Sequence, residues 1–153
     1  MAATTRDSTS YSLLDIASYL QDARDRGGPR AIPIPFIHTV VSGEIGGASA
    51  GVQDLVNLCV IPAFAEVVGF FLTRESLGAS AGAGVTLRVG DSSDDDRYMI
   101  ATDSDVAGDV EGLPVPGQRY RPVVDTIVKA KWSGANPVVG KKFSGAVYVV
   151  PGT

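Results

Sequence analysis

Turn-forming residues interrupt the chain every few positions from Phe36 onward. Short β-branched and aromatic runs alternate there with glycine, serine, asparagine, aspartate or proline. The 18 glycines and 9 prolines follow no fixed period, which favours many turns over long helices. Strands do not alternate with long helices, so a doubly wound sheet is disfavoured. The sequence therefore predicts an all-β domain over residues 36–153, a β-sandwich or a jelly-roll-like fold.

Seven strands are predicted from the apolar runs. They are Ile37–Val41, Asp54–Ile61, Glu66–Thr73, Thr86–Val89, Arg97–Ala101, Val123–Lys131 and Ala146–Val150. Apolar and polar side chains alternate along the sixth strand, which predicts one buried and one wetter face. The run "AEVVGFFL" is almost continuously apolar, which predicts burial on both faces, within the domain or against another subunit. Gly69 in that run predicts a bulge or a close backbone approach.

Residues 1–35 are predicted to form a separate region, which consists of an N-terminal amphipathic helix followed by a proline-rich extended arm. In "SLLDIASYLQDARDR" the apolar residues recur at helical spacing, and "GGP" ends the helix. Pro29, Pro33 and Pro35 then favour extended backbone. The helix and arm are predicted either to contact a neighbouring protein or to pack on their own domain, and the sequence favours neither alternative. The residues predicted to form a partner interface are Leu13, Ile16, Leu20, Ile32, Ile34 and Phe36.

Charge and cysteine content narrow the classes of partner. The net charge of -4 argues against a chain that grips nucleic acid, because phosphate binding needs clustered lysine and arginine. The sequence has no apolar run of membrane-spanning length and no signal peptide at its start, which predicts a chain made and kept in a cytoplasm. Cys59 is the single cysteine and lies among apolar residues, so we expect a buried thiol.

The stretch "GDSSDDD", residues 90–96, is the densest group of potential metal ligands. An EF-hand loop counted from Asp91 requires a glycine at the sixth position and a glutamate at the twelfth, where this chain has Asp96 and Thr102. A looser calcium site formed by Asp91, Asp94 and Asp96 stays open as an alternative. The favoured interpretation is a hairpin tip whose charges are solvated.

No constellation of residues predicts catalysis, a cofactor or a metal. His38 is the single histidine and has no nucleophile motif beside it, and its pairing with Cys59 is conceivable only in three dimensions. One histidine and one cysteine are too few for a closed zinc site. Lysines 129, 131, 141 and 142 surround Trp132 and a "GANP" turn, which favours a solvated hairpin over an acidic or nucleic-acid partner. Trp132 itself is expected to fill the core.

Three segments in this order resemble small structural proteins of tailed bacteriophages. They are "DLVNLCVIPAFAEVVGFFLTRESLG", "VTLRVGDSSDDDRYMIATD" and "GKKFSGAVYVV". The features that carry the resemblance are the turn Ile61–Ala63, the segment Thr86–Asp91, the run Asp96–Met99 and the closing strand Val147–Val150.

The resemblance implies a capsid decoration (cement) protein, which is not an enzyme and needs no cofactor. Such a protein binds the major capsid protein lattice on the virion surface, commonly as a trimer, with no direct contact to nucleic acid or membrane. The predicted helix and arm lie outside the matched segments. The alternatives are another phage component, such as a head-tail connector, tail or receptor-binding tip protein, and a calcium- or glycan-binding β module.

Overall fold

A computed structural model describes residues 5–7, 31–46 and 55–152, and its regular structure is almost entirely β. The strands are β1 (Thr5–Asp7), β2 (Ile32–Thr39), β3 (Leu55–Ile61), β4 (Glu66–Arg74), β5 (Val85–Gly90), β6 (Met99–Asp103), β7 (Gly108–Glu111), β8 (Thr126–Gly134) and β9 (Lys142–Val150). A single 3₁₀ turn at Val115–Gly117 is the only helical element within these residues. The predicted N-terminal helix lies outside the described residues.

The strands form two sheets that pack face to face as a jelly roll. One sheet has five strands in the order β1-β3-β8-β5-β6, and the other has four in the order β2-β9-β4-β7. β1 pairs in parallel with β3, and the other pairings in the described ranges are antiparallel. With β1 set aside, the eight remaining strands divide between the sheets in the jelly-roll order. The all-β prediction is confirmed, and the strand order selects the jelly roll among its alternatives.

All seven predicted strands have a counterpart, but β2 starts five residues earlier than predicted. Pro33 and Pro35 lie inside it. They are tolerated because β2 is an edge strand of the four-stranded sheet, where a missing backbone donor breaks no ladder. The predicted boundary between 1–35 and 36–153 therefore falls within a strand. β7, with the sequence "GDVE", was not predicted because it is short and has only one large apolar side chain.

The alternation along β2 corrects part of the predicted partner interface. Ile32, Ile34 and Phe36 point inward and have exposed fractions of 5%, 2% and 2%. They belong to the core of this chain because the prolines between them occupy the outward positions. Leu13, Ile16 and Leu20 lie outside the described residues, and for them the interface stays a prediction.

The core lies between the two sheets and is built around aromatic rings. Trp132 of β8 makes an edge-to-face contact with Phe143 of β9, with ring centroids 5.7 Å apart. Phe143 also contacts Phe36, whose ring stacks on Phe70. The predicted core position of Trp132 and the predicted burial of Cys59 are both confirmed. Among the described residues, no helix is long and apolar enough to cross a membrane.

Strand β4 contains the predicted bulge, since its pairing with β9 shifts register between Val67 and Gly69. The shift leaves Val68 and Gly69 both on the outer side of the sheet, where the ring of Tyr148 packs against Gly69. Only the inner side chains of β4 are buried, whereas Val68 is 43% exposed. The prediction of burial on both faces within the domain is therefore wrong. Burial against another subunit stays a prediction.

Candidate assembly face

The outer side of the four-stranded sheet carries a continuous set of apolar residues, which we call the apolar face. It comprises Pro33, Pro35, Ile37, Val68, Phe71, Ala146 and Tyr148. The strand register places them side by side, because Pro35 and Phe71 both pair with Ala146 and Pro33 pairs with Tyr148. Residues that are register partners point to the same side of a sheet. The face therefore runs across β2, β9 and β4.

This face is apolar at its centre and has charged residues of both signs at its border, Glu111 and Lys142. Ile37 and Val68 are 41% and 43% exposed, and none of the seven residues carries a charge. Glu111 of β7 lies at the border as the register partner of Phe71. Exposed apolar side chains that are grouped on one surface are typical of interaction sites.

The outer side of the five-stranded sheet is charged instead. Arg88, Lys129 and Lys131 are outward residues on neighbouring strands. Asp95 reaches over this surface, and the Nζ atom of Lys131 donates to it at 2.7 Å. A groove of about 620 Å³ lies between Leu55, these lysines and the 91–95 loop. Of the four lysines predicted to share a hairpin, Lys129 and Lys131 lie on this surface, whereas Lys142 belongs to β9 in the other sheet, so β8 and β9 form no hairpin. The two outer surfaces of the sandwich therefore differ in character.

The acidic loop between β5 and β6 is organised around Asp91. Its Oδ1 atom accepts hydrogen bonds from the backbone and hydroxyl of Ser93 and from the backbone of Asp94. Its Oδ2 atom accepts from Arg97 at 2.7 Å and from the Tyr98 hydroxyl at 3.2 Å. Asp91 is only 5% exposed. The hairpin tip is therefore as predicted, but the expected solvation of its charges is wrong for Asp91.

The other aspartates of this loop do not form a common metal site with Asp91. Asp95 pairs with Lys131 and Arg88. The hydrogen bond from Lys131 is the main cause that lowers the pKa of Asp95. The neighbouring carboxylate of Asp94 raises the pKa of Asp96. In the described ranges, no three histidine, cysteine, aspartate or glutamate side chains are placed to hold one metal ion. The two oxygens of Asp91 are occupied by protein donors, which argues against the calcium alternative.

A second buried acid, Glu44, was not singled out from the sequence. Its carboxylate is completely buried and accepts from His38 Nε2 at 2.8 Å, from Trp132 Nε1 at 2.9 Å and from the backbone of Val41 at 2.8 Å. These bonds join the loop after β2 to both sheets. No signal in the sequence marks Glu44, because it lies in a glycine-rich loop and its donor Trp132 is 88 positions away.

The two residues weighed as a catalytic pair have other roles. The imidazole of His38 is buried and its Nε2 proton is held by Glu44. Burial raises the pKa of the Cys59 thiol far above its ordinary range, so that thiol is a poor nucleophile at neutral pH. Both side chains are parts of the core.

Acid is expected to weaken this fold. Burial by itself would raise the pKa values of Glu44 and Asp91, but hydrogen bonds, chiefly from His38 and Ser93 respectively, outweigh it and the net direction is down. A carboxylate whose pKa is lower in the folded protein than in the unfolded chain stabilises the fold. This stabilisation is complete above the pKa of the unfolded chain, near 4, and is lost as the pH falls from there through the folded pKa. We expect the melting temperature to fall steeply between pH 4 and pH 3, measured by circular dichroism. A melting temperature that is the same at pH 7 and pH 3 would contradict this.

Comparison with solved structures gives three similar folds, all from phage capsids. A chain in the capsid of Ralstonia phage GP4 is 19% identical with a TM-score of 0.69, and the match covers 98% of this chain and 99% of that chain. A chain of the cyanophage Pam1 capsid asymmetric unit is 18% identical with a TM-score of 0.56, covering 82% and 89%. A chain of the acid-stable capsid of Helicobacter pylori bacteriophage KHP30 is 19% identical with a TM-score of 0.52, covering 79% and 88%.

These matches show the fold. Because the first match covers nearly all of both chains, the two chains have about the same length. No family model matches this chain, and no curated protein matches it. The fold is thus shared with chains found in phage capsids, at a sequence identity too low to carry more than the fold.

Proposed function

We propose that this protein is a non-enzymatic virion structural protein that decorates and stabilises a bacteriophage capsid by binding the major capsid protein lattice. The observation that carries the proposal is the match in fold, over nearly the full length of both chains, to a chain in a phage capsid. The sequence resemblance over residues 54–150 supports the same class. The protein is made in the host cytoplasm and ends on the outer surface of the virion.

The apolar face supports self-association, and a trimer is the form that the resemblance implies. Two copies can bring uncharged surfaces together without like-charge repulsion. The opposite surface would instead place Arg88, Lys129 and Lys131 of one copy near those of another. A closed oligomer removes the apolar face from water, and it presents several shell-binding surfaces at once, which increases avidity on a repeating lattice.

The chemistry of the core supports a structural role. The buried thiol and the buried histidine are committed to packing and to the Glu44 hydrogen bonds. The polar cluster around Asp91 holds a loop in place through bonds to the protein's own donors. These groups stabilise a scaffold that presents surfaces to partners.

A charge placed in the apolar face is expected to dissociate the oligomer. Val68 and Ile127 are exposed to similar degrees, 43% and 39%, but Val68 lies on the apolar face and Ile127 on the charged outer surface. We expect Val68→Asp to lower the mass in solution to that of a monomer, because burying an unpaired carboxylate opposes association. Ile127→Asp is the matched control and is expected to leave the mass unchanged. Light scattering after size exclusion measures both.

Two results of that experiment would contradict self-association through the apolar face. One is a wild-type protein that is monomeric, and the other is a Val68→Asp variant that keeps the wild-type mass. The binding part of the proposal is tested separately, by mixing the protein with phage heads that lack it and measuring how much sediments with them. Absence of binding at saturating concentration would refute the decoration role.

A further inference from the structure

Three loops meet at one end of the sandwich, and two of them present an exposed tip. The loops are 62–65, 91–98 and 112–125. The backbone of Phe64 donates to Pro122 at 2.6 Å, and the backbone of Ala63 donates to the Asp125 carboxylate at 2.9 Å. We call the exposed side chains of Phe64, Arg119, Arg121, Val123 and Val124 the tip.

The conformation of Phe64 is unfavourable for the isolated chain. The backbone of Ala65 donates to Pro62, so residues 62–65 form a turn, and Phe64 is its third residue with φ of 65°. Glycine or asparagine ordinarily occupies such a position, because a bulky side chain is disfavoured there. The Phe64 side chain is also 59% exposed, so packing does not compensate for the strain.

Arg119 repeats this combination in the neighbouring loop. Its φ is 57°, and its side chain is 89% exposed. Within the described residues, Phe64 and Arg119 are the only residues other than glycine with positive φ. The backbone of Arg119 donates to Val67, and that of Val67 donates to Tyr120, so this loop is hydrogen-bonded to the start of β4, directly after the turn that contains Phe64. Strained residues that are grouped and exposed are typical of sites that bind something else.

The loops of the tip are also cross-linked by side-chain contacts, and the tip is rich in the residue types that dominate protein interfaces. The guanidinium of Arg97 lies 4.0 Å from the ring centroid of Tyr120 and donates to Asp91 and to the carbonyl of Pro116, which ties the 91–98 loop to the 112–125 loop. Val123 and Val124, in the 112–125 loop, are 73% and 65% exposed. Aromatic and arginine side chains on a preorganised backbone are typical of binding hot spots.

The charges of the tip select the kind of partner. Arg119 and Arg121 share the carboxylate of Glu66, and their side chains are 89% and 62% exposed against 18% for Glu66, so the two guanidinium groups are more open to a partner than that carboxylate is. Two copies meeting tip to tip would oppose these arginines, so a second copy is disfavoured. A surface with an apolar pocket bordered by carboxylates is complementary to the tip.

We propose that the tip is the surface through which the protein binds the capsid shell, with the Phe64 ring inserted in an apolar pocket whose acidic border pairs with Arg119 and Arg121. This inference rests on the proposed function, and it specifies which end of the molecule contacts the shell. The apolar face and the tip then have separate tasks, since one joins copies of the chain and the other contacts the shell.

The variant Phe64→Asn separates binding from folding. Asparagine tolerates a positive φ, so we expect the melting temperature to stay equal or to rise. Loss of the ring is expected to weaken binding to phage heads lacking this protein at least about tenfold. Val139→Ser is the matched control, because Val139 is 60% exposed in the turn between β8 and β9, at the opposite end. It is expected to bind as the wild type does.

Arg119→Gln gives a second measurement. It is expected to weaken binding and to reduce its dependence on salt. Phe64→Asn binding as well as the wild type would overturn the inference while leaving the decoration role intact. A Phe64→Asn variant with altered mass in solution would also overturn it, because the tip would then be a contact between copies. Wild-type protein that fails to bind heads would refute the proposed function and this inference with it.

Discussion

Glu44→Ala is expected to lower the free energy of unfolding by about 3 to 5 kcal/mol. The substitution removes a completely buried carboxylate and leaves three donors without their acceptor, on His38, Trp132 and the backbone of Val41. Each unsatisfied buried donor costs about 1 to 3 kcal/mol. Domains of this size are stable by about 5 to 15 kcal/mol, so the loss is a large share of the total.

Urea denaturation followed by circular dichroism, at one fixed protein concentration, measures this loss. Glu75→Ala is the matched control, since Glu75 is exposed and accepts one backbone hydrogen bond, from Lys142 at 2.7 Å. We expect that control to lose no more than about 1 kcal/mol. A Glu44→Ala protein within about 1 kcal/mol of the wild type would show that the loop after β2 does not depend on this carboxylate.

Asp91→Ala is expected to cost about 2 to 4 kcal/mol, because it breaks a buried ion pair with Arg97 and leaves the buried Tyr98 hydroxyl without its acceptor. The effect is expected to extend beyond the hairpin, since Arg97 also contacts Tyr120 and Pro116 in the neighbouring loop. Hydrogen exchange in residues 112–125 is therefore expected to speed up in this variant.

Asp96→Asn is the control for the same loop. A side-chain hydrogen bond with Asp94, and to a lesser degree like-charge repulsion from it, raises the pKa of Asp96. Removing the charge of Asp96 is therefore expected to change stability by no more than about 0.5 kcal/mol. Calcium and chelator are expected to leave the melting temperature of the wild type unchanged. A melting temperature that rises with calcium in the wild type, and does not in Asp91→Ala, would re-establish the calcium site and contradict the structural role of Asp91.

The sequence predicted the architecture well, because alternation and turn residues are local signals. The positions of the strands, the bulge at Gly69 and the burial of Trp132 all follow from patterns within a few residues. The start of β2 was missed because prolines are read as strand breakers unless the strand is known to lie at an edge, and edge position is a property of the whole fold. A truncation meant to test the N-terminal region must therefore stop before Ile32.

The surfaces were harder to predict than the strands. The apolar face depends on the register of three strands that are distant in sequence, so Pro35, Ala146 and Phe71 become neighbours only in the folded chain. The positive φ of Phe64 cannot be read from "IPAFA", because nothing in that sequence requires it. Glu44 was missed because its donor Trp132 lies 88 positions away, and Asp91 was misjudged because an acidic stretch does not show by itself which of its carboxylates becomes buried.

The copy number of this protein in purified virions tests the central claim most directly. Quantitative mass spectrometry of phage particles gives the ratio of this chain to the major capsid protein. A protein that decorates the lattice is expected in quantities comparable to the major capsid protein, and at a fixed ratio to it. A protein absent from virions, or present only in the small number that forms a single ring at a connector or tail, would contradict the decoration role.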